Sequence, residues 1–273
     1  MKKHFLFIVT TIFFISCKQA DKKETATASQ YDSSYMPAVF ADPNRSTKIE
    51  AEFAVIDSMY KKHAADNHFP AISFGLVVDG QLVYKNSYGY TDLEKKIPAT
   101  SSSLFRIASM SKSFTCMAIL KLREEGKLDL DDPAHLYIPE LKKLKYPTAD
   151  APVITIRHLM THGAGFPEDN PWGDRQLADT DKDLVDFIGK QISFSNPPGI
   201  AFEYSNLGFA LQGKIITKVS GMRYQDYIKK NILEPLGMNT TTYEYGDVAA
   251  DKLAHGYRWL NEKWNEETLL HDT

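Results

Sequence analysis

The stretch "MSKSFTCMAILKLREE", residues 110–125, limits what this chain can fold into more than any other. It reads as a helix from about Met110 to Glu125, stopped by Gly126, whose missing Cβ suits the left-handed residue that ends helices. Phe114, Cys116, Met117, Ala118, Ile119, Leu120 and Leu122 leave its middle hardly any polar face. A helix that is apolar on every side must be wrapped by protein. The expectation is therefore a central helix with the other elements packed around it.

Those other elements are both helical and extended. A helix is expected from about Lys48 to Ala65, with Phe53, Ile56 and Tyr60 on one stripe. "AISFGLVVDGQLVYKNSYG" alternates apolar residues on both sides of Asp79-Gly80, which marks a hairpin, because a type I′ turn demands positive φ at both central positions. "DLDDPAHLYIPELKK" is loop-like, and "TIRHLMTHGAGFPED" reads as a short helix capped by Thr155, ending in a glycine-punctuated loop. A helical segment around Thr180 to Gln191 precedes the turn-rich "NPPGIAFEYSN". Helices follow at Leu207 to Val219, closed by Gly221, and at Arg223 to Leu233, and "HGYRWLNEKWNEE" suggests a small hairpin.

With 273 residues, 43% of them apolar and 25% charged, the chain is long enough for a large core. A net charge of -3 and the lack of any run of five like charges leave no electrostatic footprint for nucleic acid. The first residues stand apart from the fold. Lys2 and Lys3 form a basic start, and the largely apolar Phe5 to Ile15 is too short to cross a bilayer core of about 30 Å as a helix. This is the pattern of an export signal. Phe14-Ile15-Ser16-Cys17 resembles the lipobox of bacterial lipoproteins, which makes Cys17 a candidate for lipid modification; a secreted protein cut nearby is the alternative. The two cysteines, Cys17 and Cys116, offer no disulfide framework. The expected organisation is a lipoprotein-type signal peptide over residues 1–17, ending at Cys17, a flexible tether over 18–45 and one folded domain over 46–273. A coil the length of that tether spans roughly 30 Å root mean square, enough to hold a domain clear of a membrane.

Ser-x-x-Lys occurs twice, as Ser58 with Lys61 and as Ser109 with Lys112. The first pair lies within its helix, where the Ser58 hydroxyl bonds back to a carbonyl or faces water and Lys61 is one of three basic residues on a solvated flank. Ser109 falls where an extended approach meets a helix start, where free backbone N–H groups and the helix dipole favour negative charge. Lys112 is one turn further along the same face. Serine needs an adjacent base to act as a nucleophile, and a desolvated lysine can be that base. Ser109 as a simple N-cap, with Lys112 reaching solvent, fits the spacing equally well. The histidines are scattered without ligand spacing, so neither a metal site nor a cofactor is expected.

"LFRIASMSKSFTCMAIL" resembles the active-site helix of the serine β-lactamase and penicillin-binding protein family, particularly its class C-like branch of β-lactamases, esterases and DD-peptidases. "ITIRHLMTHGAGFPED" is similar to that family's histidine-containing loop, "PPGIAFEYSNLGFALQGKIITKVSG" to its Tyr-x-Asn element with the following helix, and "ILEPLGMNTT" to a further characteristic stretch. The resemblance implies an α+β fold of the β-lactamase/DD-peptidase type, an antiparallel sheet flanked by helices plus a mainly helical subdomain. It also implies a serine hydrolase. Ser109 would be the nucleophile, Lys112 and Tyr204 would relay its proton, and Asn206 would help to hold substrate. Tyr84-Lys85-Asn86 fits the bare Tyr-x-Asn pattern too, but lies in the expected hairpin. His162 would shape the site and not act as its base.

One element of the family pattern does not match. The family's third motif, Lys or His, then Thr or Ser, then Gly on a strand, does not occur after Tyr204: Lys218-Val219-Ser220-Gly221 has one residue too many and His255-Gly256 lacks the hydroxyl residue. The expectation is a fragment or truncated reading frame without the C-terminal sheet strands and with little or no turnover. The competing expectation is a non-catalytic cell-envelope binding lipoprotein on the same scaffold. The implied partners are a small molecule or peptide with an amide or ester carbonyl, and a membrane reached through a lipid anchor on an exported bacterial protein.

Overall fold

In a computed structural model of the chain, residues 36, 42–169, 180–190 and 192–267 are described. The signal segment, Cys17 and nearly all of the expected tether lie outside them. The elements below fall within one compact unit, Phe40–Thr273.

Helix α1 (Arg45–Ala51) and helix α2 (Phe53–Asp66) replace the single helix expected from Lys48. The break is Glu52, a turn residue with φ of -94° and ψ of 0° that ends α1 and precedes α2 without a side-chain cap. Beyond it Phe53 and Tyr60, two turns apart, stack on Tyr84 at 4.2 Å and on Phe74 at 4.0 Å, which seats α2 on the sheet. Strands β1 (Ala71–Val78) and β2 (Gln81–Asp92) are antiparallel, with Val78 opposite Gln81. Asp79 and Gly80 close the hairpin with φ of 52° and 75°, the two positive values that the turn chemistry demands. A short β3 (Ile97–Pro98) extends the sheet on the β2 side, giving three strands in the order β1-β2-β3.

Helix α3 (Ser111–Glu124) runs through the core, and Gly126 at φ +69° marks its exit. Ala118, Ile119 and Leu122 are fully buried against a cluster that includes Ile138, Ile156, Leu159, Leu211, Ile215 and Ile228. Each such large side chain contributes roughly 1.5–3 kcal/mol by leaving water. The expectation that α3 is wrapped on all sides is corrected here. Met117 and Leu120 remain 40% and 38% exposed and Ser113 is exposed, a stripe at three- and four-residue spacing that no described element covers.

Helix α4 (Ile156–Met160) is capped by Thr155, whose hydroxyl accepts the His158 N–H while His158 Nδ1 accepts the Thr155 N–H. Helix α5 (Asp181–Gly189) has the same reciprocal cap between Thr180 and Asp183. Helix α6 (Asn206–Ser220) packs on both α3 and α4. Helix α7 (Tyr224–Ile228) is shorter than expected, because Lys229–Leu233 loosens into a π turn. Strands β4 (Tyr257–Leu260) and β5 (Lys263–Glu266) form the expected small hairpin. The segment leading into β4 returns to the chain ahead of α3: the Leu104 N–H donates to the Lys252 carbonyl at 2.7 Å and the Ala254 N–H to the Leu104 carbonyl at 2.9 Å. Among the described residues no helix is long and apolar enough to cross a membrane.

Candidate active site

Ser109 does not cap α3. It sits in a 3-10 turn, Ala108–Met110, so the position ahead of α3 falls to Met110, which offers no side-chain cap. Ala108 enters that turn with φ of 45°, a region that non-glycine residues occupy at a cost of about 1–3 kcal/mol. The turn leaves Ser109 exposed and aims its hydroxyl at the approach to α6, with Oγ 2.7 Å from Tyr204 Oη and 3.1 Å from Lys112 Nζ.

Lys112 is the hub. Its Nζ donates to Ser109 Oγ, to Tyr204 Oη at 2.8 Å and to Asn206 Oδ1 at 2.6 Å, so all three donors of an ammonium have acceptors. Aromatic faces complete its surroundings, with Nζ 4.9 Å from the Tyr204 ring centre and 5.5 Å from that of Phe209. The four residues singled out from the sequence, Ser109, Lys112, Tyr204 and Asn206, thus meet around a single nitrogen.

Two loops bring Tyr204 there. The Gly199 N–H donates to the Gly163 carbonyl at 2.8 Å, the Glu203 N–H to the His162 carbonyl at 2.9 Å and the Ser195 N–H to the Gly165 carbonyl at 2.9 Å. His162 lies between the loops, its ring stacked on Tyr204 at 4.7 Å with Phe202 and Phe209 against it. Its Nδ1 accepts the Ser205 N–H at 2.9 Å, which requires an unprotonated Nδ1. Burial, and next the Lys112 charge, hold the His162 pKa below its ordinary 6.5, in keeping with that neutral state. His162 spends its acceptor on the backbone and makes no contact with Ser109 here, so it shapes the site.

Asp169 was not legible in the sequence. Its carboxylate accepts the Asn206 N–H at 2.6 Å, the Leu207 N–H at 2.8 Å and the Ser205 hydroxyl at 3.1 Å. It lies 36 to 38 residues from those partners, a separation with no local pattern to announce it. Phe209 was missed as well, although its place one turn into α6 from Tyr204 was open to periodicity.

The competing motif copies go elsewhere. Tyr84 packs on Phe53, and Asn86 donates to Asp57 at 3.1 Å and to the Tyr88 hydroxyl at 2.9 Å, which fixes α2 to the sheet. Lys61 lies over the Tyr88 ring at 4.6 Å. Cys116 is half-buried and burial pushes its thiol pKa up, which makes it a poor nucleophile. Among the described residues no three His, Cys, Asp or Glu side chains cluster as metal ligands would.

The Beta-lactamase family profile matches residues 56–272. This chain belongs to the β-lactamase family. It is 33% identical over 208 residues to Protein flp of Staphylococcus aureus strain MW2, covering 74% of this chain and 40% of that protein. Against Penicillin-binding protein 4* of Bacillus subtilis strain 168 it is 33% identical over 199 residues, 71% of this chain and 42% of the relative. Among solved structures, the octameric penicillin-binding protein homologue from Pyrococcus abyssi superposes with a TM-score of 0.69 at 32% identity, over 81% of this chain and 51% of that one. A class C β-lactamase superposes with a TM-score of 0.67 at 26% identity, over 85% and 60%. The α+β fold of β-lactamases and DD-peptidases is therefore that of this chain, which spans about 40% of the length of the curated relatives it matches.

Proposed function

We propose that the protein is a serine hydrolase that transfers an acyl group from an amide or ester to Ser109 and then to water. The observation that carries this reading is the convergence of Ser109 Oγ, Tyr204 Oη and Asn206 Oδ1 on Lys112 Nζ, all within 3.1 Å. In its neutral form that nitrogen keeps one lone pair and two N–H bonds. The N–H bonds stay on Tyr204 and Asn206, and the lone pair faces the Ser109 hydroxyl proton. As Ser109 Oγ bonds to the substrate carbonyl carbon, its proton passes directly to Nζ; when the amine turns its lone pair to Tyr204 instead, Tyr204 gives its hydroxyl proton to Nζ and takes the one that Ser109 loses. The same network protonates the leaving amine or alcohol as the tetrahedral intermediate collapses to an acyl-serine ester. Water then attacks that ester, loses its proton to the same base, releases the acid and restores Ser109. The intermediate's oxyanion needs two donors.

The test is covalent labelling of the purified chain by a fluorophosphonate and by a fluorescent penicillin. Label on the wild type that vanishes in Ser109→Ala supports the reading; label that persists in that variant refutes it. Saturable binding of cell-wall fragments with no adduct would instead support a non-catalytic recognition protein. We also propose that Cys17 is lipidated and tethers the domain to the cell envelope. Incorporation of an alkyne fatty acid that Cys17→Ala abolishes is the expected result.

A further inference from the structure

We infer that Asp169 is a positioning residue that holds Tyr204 and Asn206 in register on Lys112, an assignment that rests on the catalytic reading of that site. Tyr204 stands on extended backbone and Asn206 is the first residue of α6. The angle between them is set at Ser205, where φ of -135° and ψ of 116° turn the chain into the helix. Ser205 is held at two points. Its N–H is bound by His162 Nδ1 and its hydroxyl donates to Asp169.

Asp169 reaches to either side of that residue. One carboxylate oxygen takes the Asn206 N–H and the other takes the Leu207 N–H, while the Asp169 N–H approaches the Tyr204 carbonyl at 3.4 Å. Ser205 Oγ, oriented by its bond to Asp169, accepts the Gly208 N–H at 3.1 Å. The first three N–H groups of α6 are thus satisfied by Asp169 and by the serine it orients, with a negative charge at the positive end of the helix dipole. Ordinary capping would account for the stability of α6. It does not account for a cap that touches each of residues 204–207, two of which place Tyr204 and Asn206 at 2.8 and 2.6 Å from one nitrogen.

Asp169→Asn keeps the size of the side chain but turns one acceptor into a donor facing the Leu207 N–H and the Ser205 hydroxyl. The purified wild type, Asp169→Asn, Asp169→Glu and Thr180→Ala are compared by fluorophosphonate labelling over a range of probe concentrations. The nuclear Overhauser contact between the Tyr204 ring and the Lys112 side chain is measured in each. Thr180→Ala removes the cap of α5 and controls for lost stability alone. The expected result for Asp169→Asn is a maximal labelling rate about 10- to 100-fold lower, with half-saturating probe concentration little changed and the Tyr204–Lys112 contact weakened. Asp169→Glu should recover part of the rate, and Thr180→Ala should keep all of it. An Asp169→Asn protein that labels at the wild-type rate, or that slows only as much as Thr180→Ala, overturns the inference. If the wild type takes no Ser109-dependent label, the catalytic reading fails by itself, and the contact alone then decides: its loss in Asp169→Asn sustains positioning and its retention refutes it.

Discussion

Gly165→Ala is the perturbation whose effect follows most directly from the packing of the two site loops. Gly165 has φ of +80°, and a Cβ there would lie 2.0 Å from the Asn196 carbonyl oxygen. Since real Cβ atoms essentially never approach closer than 3.0 Å, the 196 strand of loop must retreat by about 1 Å. The left-handed conformation alone costs an alanine about 1–2 kcal/mol. Forcing the loops apart adds about 1–3 kcal/mol, the range for overpacking a filled interior, and stretches the Ser195 to Gly165 bond of 2.9 Å. The sum, about 2–5 kcal/mol, corresponds to a fall in Tm of about 4–20 °C for a chain of this size. Gly126→Ala is the matched control. It has φ of +69° with nothing within 4 Å, so it should lose only the conformational part. Thermal unfolding by circular dichroism measures both variants. Fluorophosphonate labelling at a temperature where both are folded then asks whether the displaced loop disturbs Tyr204, at up to about 100-fold in rate. Equal destabilisation by the two substitutions would refute the close-approach reasoning.

Other consequences are simpler to state. Lys112→Ala should slow Ser109 labelling by about 100- to 10,000-fold, the span of general-base effects, while Tyr84→Phe should leave it unchanged because Tyr84 faces α2; labelling kinetics separate the two. The His158 and His162 pKa values are both held below 6.5, chiefly by burial, so the unfolded chain binds more protons than the folded one between those depressed values and 6.5. Their contribution to stability is accordingly complete above pH 6.5 and is lost as pH falls through the folded values, and His162→Gln should flatten the fall of urea midpoints on acidification. Leu211→Ala, at a fully buried position, should cost about 2–5 kcal/mol in urea unfolding.

The sequence exposed what is local and hid what is not. The Asp79-Gly80 turn, the Thr155 cap and the Ser109–Lys112 spacing each depend on neighbours a few residues away, and each stands where the pattern put it. The break at Glu52 was hidden because it answers to aromatic stacking on a sheet about thirty residues downstream. The open stripe of α3 was hidden because apolarity reports the wish to be buried and not whether a partner is there. Asp169 was hidden for the reason that makes it useful: a cap supplied from a distant loop joins two segments that sequence spacing cannot relate.

The site's geometry is also a property of the core beneath it. Ser109 and Lys112 sit at the N-terminal end of α3, and Tyr204 and Asn206 at the N-terminal end of α6. These two helices pack directly on each other. Below Lys112, α3 presents Ala118, Ile119 and Leu122, and below Asn206, α6 presents Leu211, Ile215 and Ile216, all of them fully buried in one cluster. The separation of the two helix ends is therefore fixed by side chains that touch no substrate. A hydrogen-bond set spanning 2.6 to 3.1 Å tolerates shifts of only a few tenths of an ångström before a partner is lost. Close-packed interiors feel a change of even one methylene and transmit the strain. Stability and reactivity are thus coupled through the α3–α6 contact, and a core substitution that costs little folding free energy can still cost rate.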